Sequence, residues 1–169
     1  SNYIWRRYAG NNNHEDGMDH GNGDFYFNYW INPQDSASGT MIFSKSTENN
    51  GMYVRNYFNG DDVRFDLSTS GSGYQGFQAG GNHFVQESYA WTCVMGIRRD
   101  RHFEIWINGK LELRNPITIS GVQTDTFSST DHVLKLGYDP NTGASDAALR
   151  LSLFRSGFGA PSKEQIEKM

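Results

Sequence analysis

The chain has 169 residues, 20 % of them charged, with a formal net charge of −4, 14 % aromatics, 19 glycines and 4 prolines. That length fits a single domain over residues 1–169 able to bury its own core, the negative balance argues against a nucleic-acid partner, and no apolar run approaches the roughly 18 residues of a membrane span. The lone cysteine, Cys93, rules out an internal disulfide and argues against a disulfide-built scaffold, while the aromatic and glycine content favours strands and tight turns over helices.

Tyr3 to Tyr8 is a short aromatic strand candidate, and the Ser-Asn opening reads as an internal cut of a longer polypeptide. Gly10 to Asp24 (GNNNHEDGMDHGNGD) is a polar loop. Its acidic residues, Asp16 and Asp19 among them, offer hard oxygen ligands of the kind calcium takes. The spacing fits neither an EF-hand nor a zinc site, so a solvated loop is the plain alternative. Phe25 to Asn32 (FYFNYWIN) alternates Phe25, Phe27, Tyr29 and Ile31 against Tyr26, Asn28 and Trp30. Side chains two apart share a strand face, so the first set predicts the core and the second an aromatic face broken by an amide.

Met41 to Ser44 is a short strand. Met52 to Phe58 then alternates Met52, Val54 and Phe58 against Tyr53, Arg55 and Tyr57, and after a turn Val63, Phe65 and Leu67 alternate against Arg64 and Asp66, which predicts a hairpin. Ser68 to Gly81, with five glycines, reads as a loop lining a rim, and His83 to Val85 as an edge segment. In Trp91 to Arg114, Trp91, Cys93, Met95 and Ile97 alternate, Arg99-Asp100-Arg101 turns, Phe103, Ile105 and Ile107 alternate, and Asn108-Gly109 supplies a type I′ turn into Leu111 to Leu113. Three successive antiparallel strands are predicted there. Cys93, inside an apolar strand with no base beside it, reads as a buried thiol rather than a nucleophile.

An irregular link follows from Pro116 to Thr130, then a strand over Val133 to Leu136, the loop Asp139 to Asp146, and a strand alternating through Leu149, Leu151 and Leu153. Ser162 and Gln165 are spaced as a capping box for a short closing helix with Ile166 and Met169 on one face. About ten short strands with regular turn signals make an all-β, two-sheet antiparallel sandwich.

The order of the pieces, FYFNYWINP, GTMIFSK, a hairpin, a Trp-led strand, FEIWINGK, VLKLGYD, LRLSLFRSG and the APSKEQIEKM ending, resembles the laminin G-like branch of the concanavalin A-like jelly rolls over Tyr3 to Met169. The resemblance implies a jelly roll, and a setting in phage tail or capsid-attached proteins, on a virion, or on a bacterial surface outside the cell. It also implies calcium at the sandwich rim, for which Asp16, Asp19 and Asp139 are the candidate ligands. A homotrimer about a fibre axis is the natural assembly in such a parent protein.

The fold carries lectins, adhesion modules and glycanases alike, so function has to come from residues. Glycanases of this kind project paired carboxylates from alternate strand positions, and a retaining pair stands about 5 to 5.5 Å apart. No such run occurs, and a cross-strand pair of Glu104 and Glu112 is the only candidate. A non-catalytic module binding a surface glycan fits better. The face opposite the core collects Tyr26, Asn28, Trp30, Tyr53, Arg55, Tyr57, Arg64, Asp66, Glu104 and Trp106, rings to stack a pyranose and polar groups for its hydroxyls. Two alternatives stay open: loops such as Ser68 to Gly81 plug that face, or it is a protein interface of a decoration or assembly module that binds no sugar.

Overall fold

The computed structural model describes residues 23–33, 41–45, 54–59, 62–68, 74–80, 90–118, 134–137 and 149–168. In chain order the strands are β1 (Phe25–Pro33), β2 (Met41–Lys45), β3 (Val54–Asn59), β4 (Asp62–Ser68), β5 (Tyr74–Ala79), β6 (Thr92–Arg99), β7 (His102–Ile107), β8 (Lys110–Pro116), β9 (Leu134–Leu136) and β10 (Leu149–Phe158), followed by the helix α1 (Lys163–Glu167). They form two five-stranded antiparallel sheets, ordered β10-β1-β6-β7-β8 and β5-β4-β3-β2-β9. This is the jelly-roll sandwich that the sequence predicts. The Tyr3 to Tyr8 and His83 to Val85 segments lie outside the described residues.

Apolar burial between the sheets follows the alternation. Phe25, Phe27, Tyr29 and Ile31 of β1 and Phe103, Ile105 and Ile107 of β7 are buried against Ile42, Phe43, Val63, Phe65, Leu67 and Phe77 of the facing sheet. Rings stitch the two layers, with centroids 5.1 Å apart for Phe27 and Phe43, 5.2 Å for Phe65 and Phe103, and 5.0 Å for Phe77 and Phe103. The Gln75 side chain closes one edge. Its Nε2 donates to the Pro116 carbonyl at 2.9 Å and its Oε1 accepts from the Thr118 N–H at 2.8 Å, tying β5 to the end of β8.

Both turns of the β6-β7-β8 meander have positive φ at their two central residues: 46° and 62° at Asp100 and Arg101, 50° and 78° at Asn108 and Gly109. Asn108-Gly109 is the expected type I′ pair. Asp100 and Arg101 occupy the left-handed region without a glycine, at a cost of about 1–2 kcal/mol each. The turn is pinned by Asp100 N–H donating to Asp24 Oδ1 at 3.2 Å and Ile117 N–H donating to the Arg101 carbonyl at 2.8 Å.

Several expectations need correcting. In β6 the apolar set Cys93, Met95 and Ile97 points away from the main core, because the register pairs Val94 with Ile107, Gly96 with Ile105 and Arg98 with Phe103. The central strand is therefore buried on both faces. Ser68 to Gly81 is not all loop: Phe77 is buried and Ala79 packs on the core from β5, whose alternation is masked by surrounding glycines. In β10 the regular count fails at Leu153. The pairing with β1 shifts between Asn28 and Trp30, Leu153 takes a φ of 52° and is 58 % exposed, and Phe154 packs on the core instead. One residue inserted as a bulge reverses the faces of everything after it.

The core also holds a polar pair. Asn56 of β3 is fully buried opposite Phe65, its Nδ2 donating to the Arg64 carbonyl at 3.0 Å while its Oδ1 accepts from the Tyr29 hydroxyl. Burial raises the Tyr29 pKa well above its ordinary value of 10.0, partly offset by the Asn56 bond. Below pH about 10 the phenol is protonated in both folded and unfolded chains. Above it only the unfolded chain ionises, so this contribution to stability is lost as pH rises. Denaturant melts between pH 9 and 11 should show a fall of up to about 1.4 kcal/mol per pH unit more in the wild type than in Tyr29→Phe. Tyr29→Phe itself costs about 1–3 kcal/mol at neutral pH by stranding Asn56 Oδ1. Equal alkaline slopes would remove Tyr29 as the responsible group.

Candidate functional site

On β4, Arg64 and Asp66 stand two residues apart and so project together from the face away from the core. The Arg64 Nε lies 2.7 Å from Asp66 Oδ1, with the Asp66 side chain fully buried and the Arg64 side chain 23 % exposed. On the neighbouring strand Gly76 is opposite Asp66, and Gln78 is opposite Arg64. A Cβ on Gly76 would come within 2.5 Å of Arg64 Nη2, so the absent side chain is what lets the guanidinium lie across β5. There it reaches the ring of Tyr74, with Cζ 5.8 Å from the centroid, a cation–π distance. Tyr74 is 53 % exposed. Gln78 Nε2 donates to Asp62 Oδ2 at 3.2 Å at the end of the same row.

β3 continues this face. Tyr57 is in register with Arg64, Arg55 with Asp66, and Ser44 of β2 with Arg55. Arg55 and Tyr57 are thus register neighbours of Asp66 and Arg64, while Tyr53 lies outside the described residues. Sequence reasoning missed Tyr74 and Gln78, which the same period-two count applied to YQGFQA would have placed with Arg64.

The other five expected site residues lie on a different sheet. Tyr26, Asn28, Trp30, Glu104 and Trp106 belong to the outer face of the β10-β1-β6-β7-β8 sheet, so the single ten-residue face anticipated from alternation does not exist. Much of that outer face is covered. Met95, Ile97, Trp106 and Ile166 of α1 form a second buried cluster with Tyr26 and Ala160 packed on it. Ile166 is delivered by the predicted capping box: Gln165 N–H donates to Ser162 Oγ at 3.2 Å and Ser162 N–H to Gln165 Oε1 at 2.7 Å. The Tyr26 ring lies on the backbone of Gly157, where a Cβ would be 2.7 Å from it. Trp30 is half-buried.

Beneath α1, Glu104 is buried and its oxygens are occupied. Oε2 accepts from Trp106 Nε1 at 2.9 Å, and Oε1 faces Arg99 Nε at 3.3 Å and Arg114 Nε at 3.4 Å. Arg99 also donates to the Pro161 carbonyl at 2.6 Å, which fastens the approach to the helix. Glu112 is engaged by Lys110 at 3.0 Å. Fold contacts thus hold each carboxylate of the Glu104 and Glu112 pair separately. Cys93 is buried with Asn28 Nδ2 at 3.3 Å from its sulfur, and burial pushes the thiol pKa up, against a smaller lowering by that amide. Among the described residues no three His, Cys, Asp or Glu converge to hold a metal, and Asp16, Asp19 and Asp139 lie outside them.

A family profile described as the concanavalin A-like lectin/glucanases superfamily matches residues 9–152. The chain belongs to that superfamily. Solved structures similar to this superfamily member include the binding domain of botulinum neurotoxin serotype D/C, with 16 % identity, a TM-score of 0.64, and 86 % of this chain and 35 % of that one covered. The binding domain of botulinum neurotoxin DC in complex with rat synaptotagmin II matches at 13 % identity and a TM-score of 0.64, over 87 % of this chain and 35 % of that one. Domain 4 of AbnA, an extracellular arabinanase of Geobacillus stearothermophilus, in complex with arabinotriose, matches at 16 % identity and a TM-score of 0.63, over 90 % and 68 %. The chain spans about a third of the length of the toxin domains, and at these identities the likeness is one of fold. No curated protein matches the superfamily member in sequence.

Proposed function

We propose that this domain is a non-catalytic carbohydrate-binding module of a phage particle or bacterial surface protein, and that it holds a surface glycan on the outer face of the β5-β4-β3-β2-β9 sheet. The observation that carries the reading is the exposed Tyr74 ring beside an Arg64 guanidinium braced by Asp66. A pyranose offers a C–H face to such a ring and hydroxyls to Arg64 and Gln78, while Asp66 positions Arg64 from beneath. Among structural neighbours, one was solved with arabinotriose and one with rat synaptotagmin II, which is consistent with a fold used for binding.

The test is a glycan array followed by titration of the best saccharide. Tyr74→Ala should weaken binding at least about tenfold, as truncation of a stacking ring in a small site does, with the melting temperature unchanged because the ring is mostly exposed. Absence of any saccharide ligand, or full binding by the variant, sinks the reading. A second reading, an assembly module without sugar, is favoured by Leu153 and Phe158, which are 58 % and 67 % exposed on β10. Light scattering showing a defined oligomer that Phe158→Ser dissolves would select it.

A further inference from the structure

A groove of about 530 Å³ lies on the opposite sheet, where β7 and β8 meet α1. Its charged lining is unbalanced, with Arg99, Lys110, Arg114 and Lys163 against Glu104 and Glu167. Pairing accounts for most of it. Lys163 lies 3.5 Å from Glu167, Lys110 pairs with Glu112, and Arg99 is divided between Glu104 and the Pro161 carbonyl. Glu104 is then shared by two guanidiniums, which leaves one positive charge over.

That surplus sits on Arg114. Its Nε lies 3.4 Å from Glu104 Oε1, its side chain is 47 % exposed, and among the described residues that side chain has no second ion-pair partner. Its terminal nitrogens therefore remain for a ligand, in the planar fork that matches a carboxylate bidentately. Leu111, 41 % exposed on the same strand, supplies apolar surface beside it. The volume admits about a sugar ring or two on the scale of small-ligand pockets.

We propose that this groove is a second binding site that takes a uronic acid residue, its carboxylate on Arg114 with Lys163 nearby and its ring against Leu111. The choice of a sugar as carrier of the carboxylate rests on the binding-module reading, whereas the position of the site does not. Glu104, against which Arg114 leans, is itself held by Trp106 Nε1 and Arg99, so its carboxylate is fixed from two sides beneath the groove.

The experiment is titration of the intact chain with glucuronate and, in parallel, with glucose, followed by amide and indole chemical shifts. Glucuronate should move resonances of β8, α1 and the Trp106 indole, should leave β5 unmoved, and should bind at least tenfold more tightly than glucose. Arg114→Gln should weaken glucuronate at least tenfold, Arg114→Lys should restore only part of it, and the exposed Lys163→Gln should weaken it two- to threefold. Glucuronate and glucose binding alike, unchanged binding in Arg114→Gln when that variant melts normally, or undiminished binding in Lys163→Gln when Arg114→Gln does not fold would each overturn the proposal. So would acetyl-aspartate amide binding as tightly as glucuronate, since a bare carboxylate would then suffice. A failure of the Tyr74 face appears instead as an array without neutral ligands while β8 and α1 still respond to glucuronate.

Discussion

Trp106→Ala is expected to destabilise the fold by about 3–5 kcal/mol, the usual cost of emptying a buried aromatic site, and at about 2–4 °C per kcal/mol for a chain of this size the melting temperature should fall by roughly 10 °C or more. The ring is only 5 % exposed and shares its cluster with Met95, Ile97 and Ile166. Its loss removes the floor on which α1 rests and also the indole N–H that satisfies Glu104 Oε2. Trp106→Phe separates the two effects. It retains most of the apolar volume and should recover part of the loss, leaving about 1.5–3 kcal/mol for the lost indole bond to the carboxylate, whose Oε2 then keeps only the longer bond from Arg99 Nε at 3.4 Å. Denaturant melts of the two variants decide it. A Trp106→Ala midpoint within a degree or two of the wild type would mean that the outer face of this sheet is open and that α1 does not pack on it.

Gly96→Ala is the second large effect. A methyl group there would be 2.8 Å from Phe65 Cε1 and Cζ across the sandwich and 2.9 Å from Phe103 Cζ beside it. Real side chains do not approach so closely, so a ring must leave its packed position, and the expected cost is about 1–3 kcal/mol. The mechanism predicts coupling. Phe65→Leu alone opens a cavity, but in that background Gly96→Ala has room, so the double variant should be more stable than the sum of the single losses implies by about 0.5 kcal/mol or more. Strictly additive losses in equilibrium unfolding would show that Gly96 is needed for another reason.

Both residues bear on what could be read in advance. The strands of Trp91 to Arg114, the Asn108-Gly109 turn, the core role of Phe25, Phe27, Phe103 and Ile105, and the Ser162 cap were legible because each depends on neighbours in sequence. The β10 bulge was not, because Leu153 belongs to a perfect apolar alternation and only pairing with β1 shows the slip. β5 was hidden by its glycines, one of which, Gly76, makes room for a side chain from the next strand. Of the anticipated glycan face, Arg55, Tyr57, Arg64 and Asp66 share a sheet, whereas Glu104 and Trp106 belong to the other sheet and are packed under α1.

Alternation together with the turn signals determined that this protein is an antiparallel sandwich and, outside the β10 bulge at Leu153, which side chains share a strand face, since the direction of a Cβ is a local property of extended backbone. It could not decide which of two apolar faces of β6 meets the main core, which strands lie side by side, or which outer face a helix would cover. Those depend on contacts between residues far apart in sequence. Only the tertiary structure could therefore separate the half-buried Arg64, beside the exposed Tyr74, from the buried Trp106 and Glu104, which read like Arg64 along the chain.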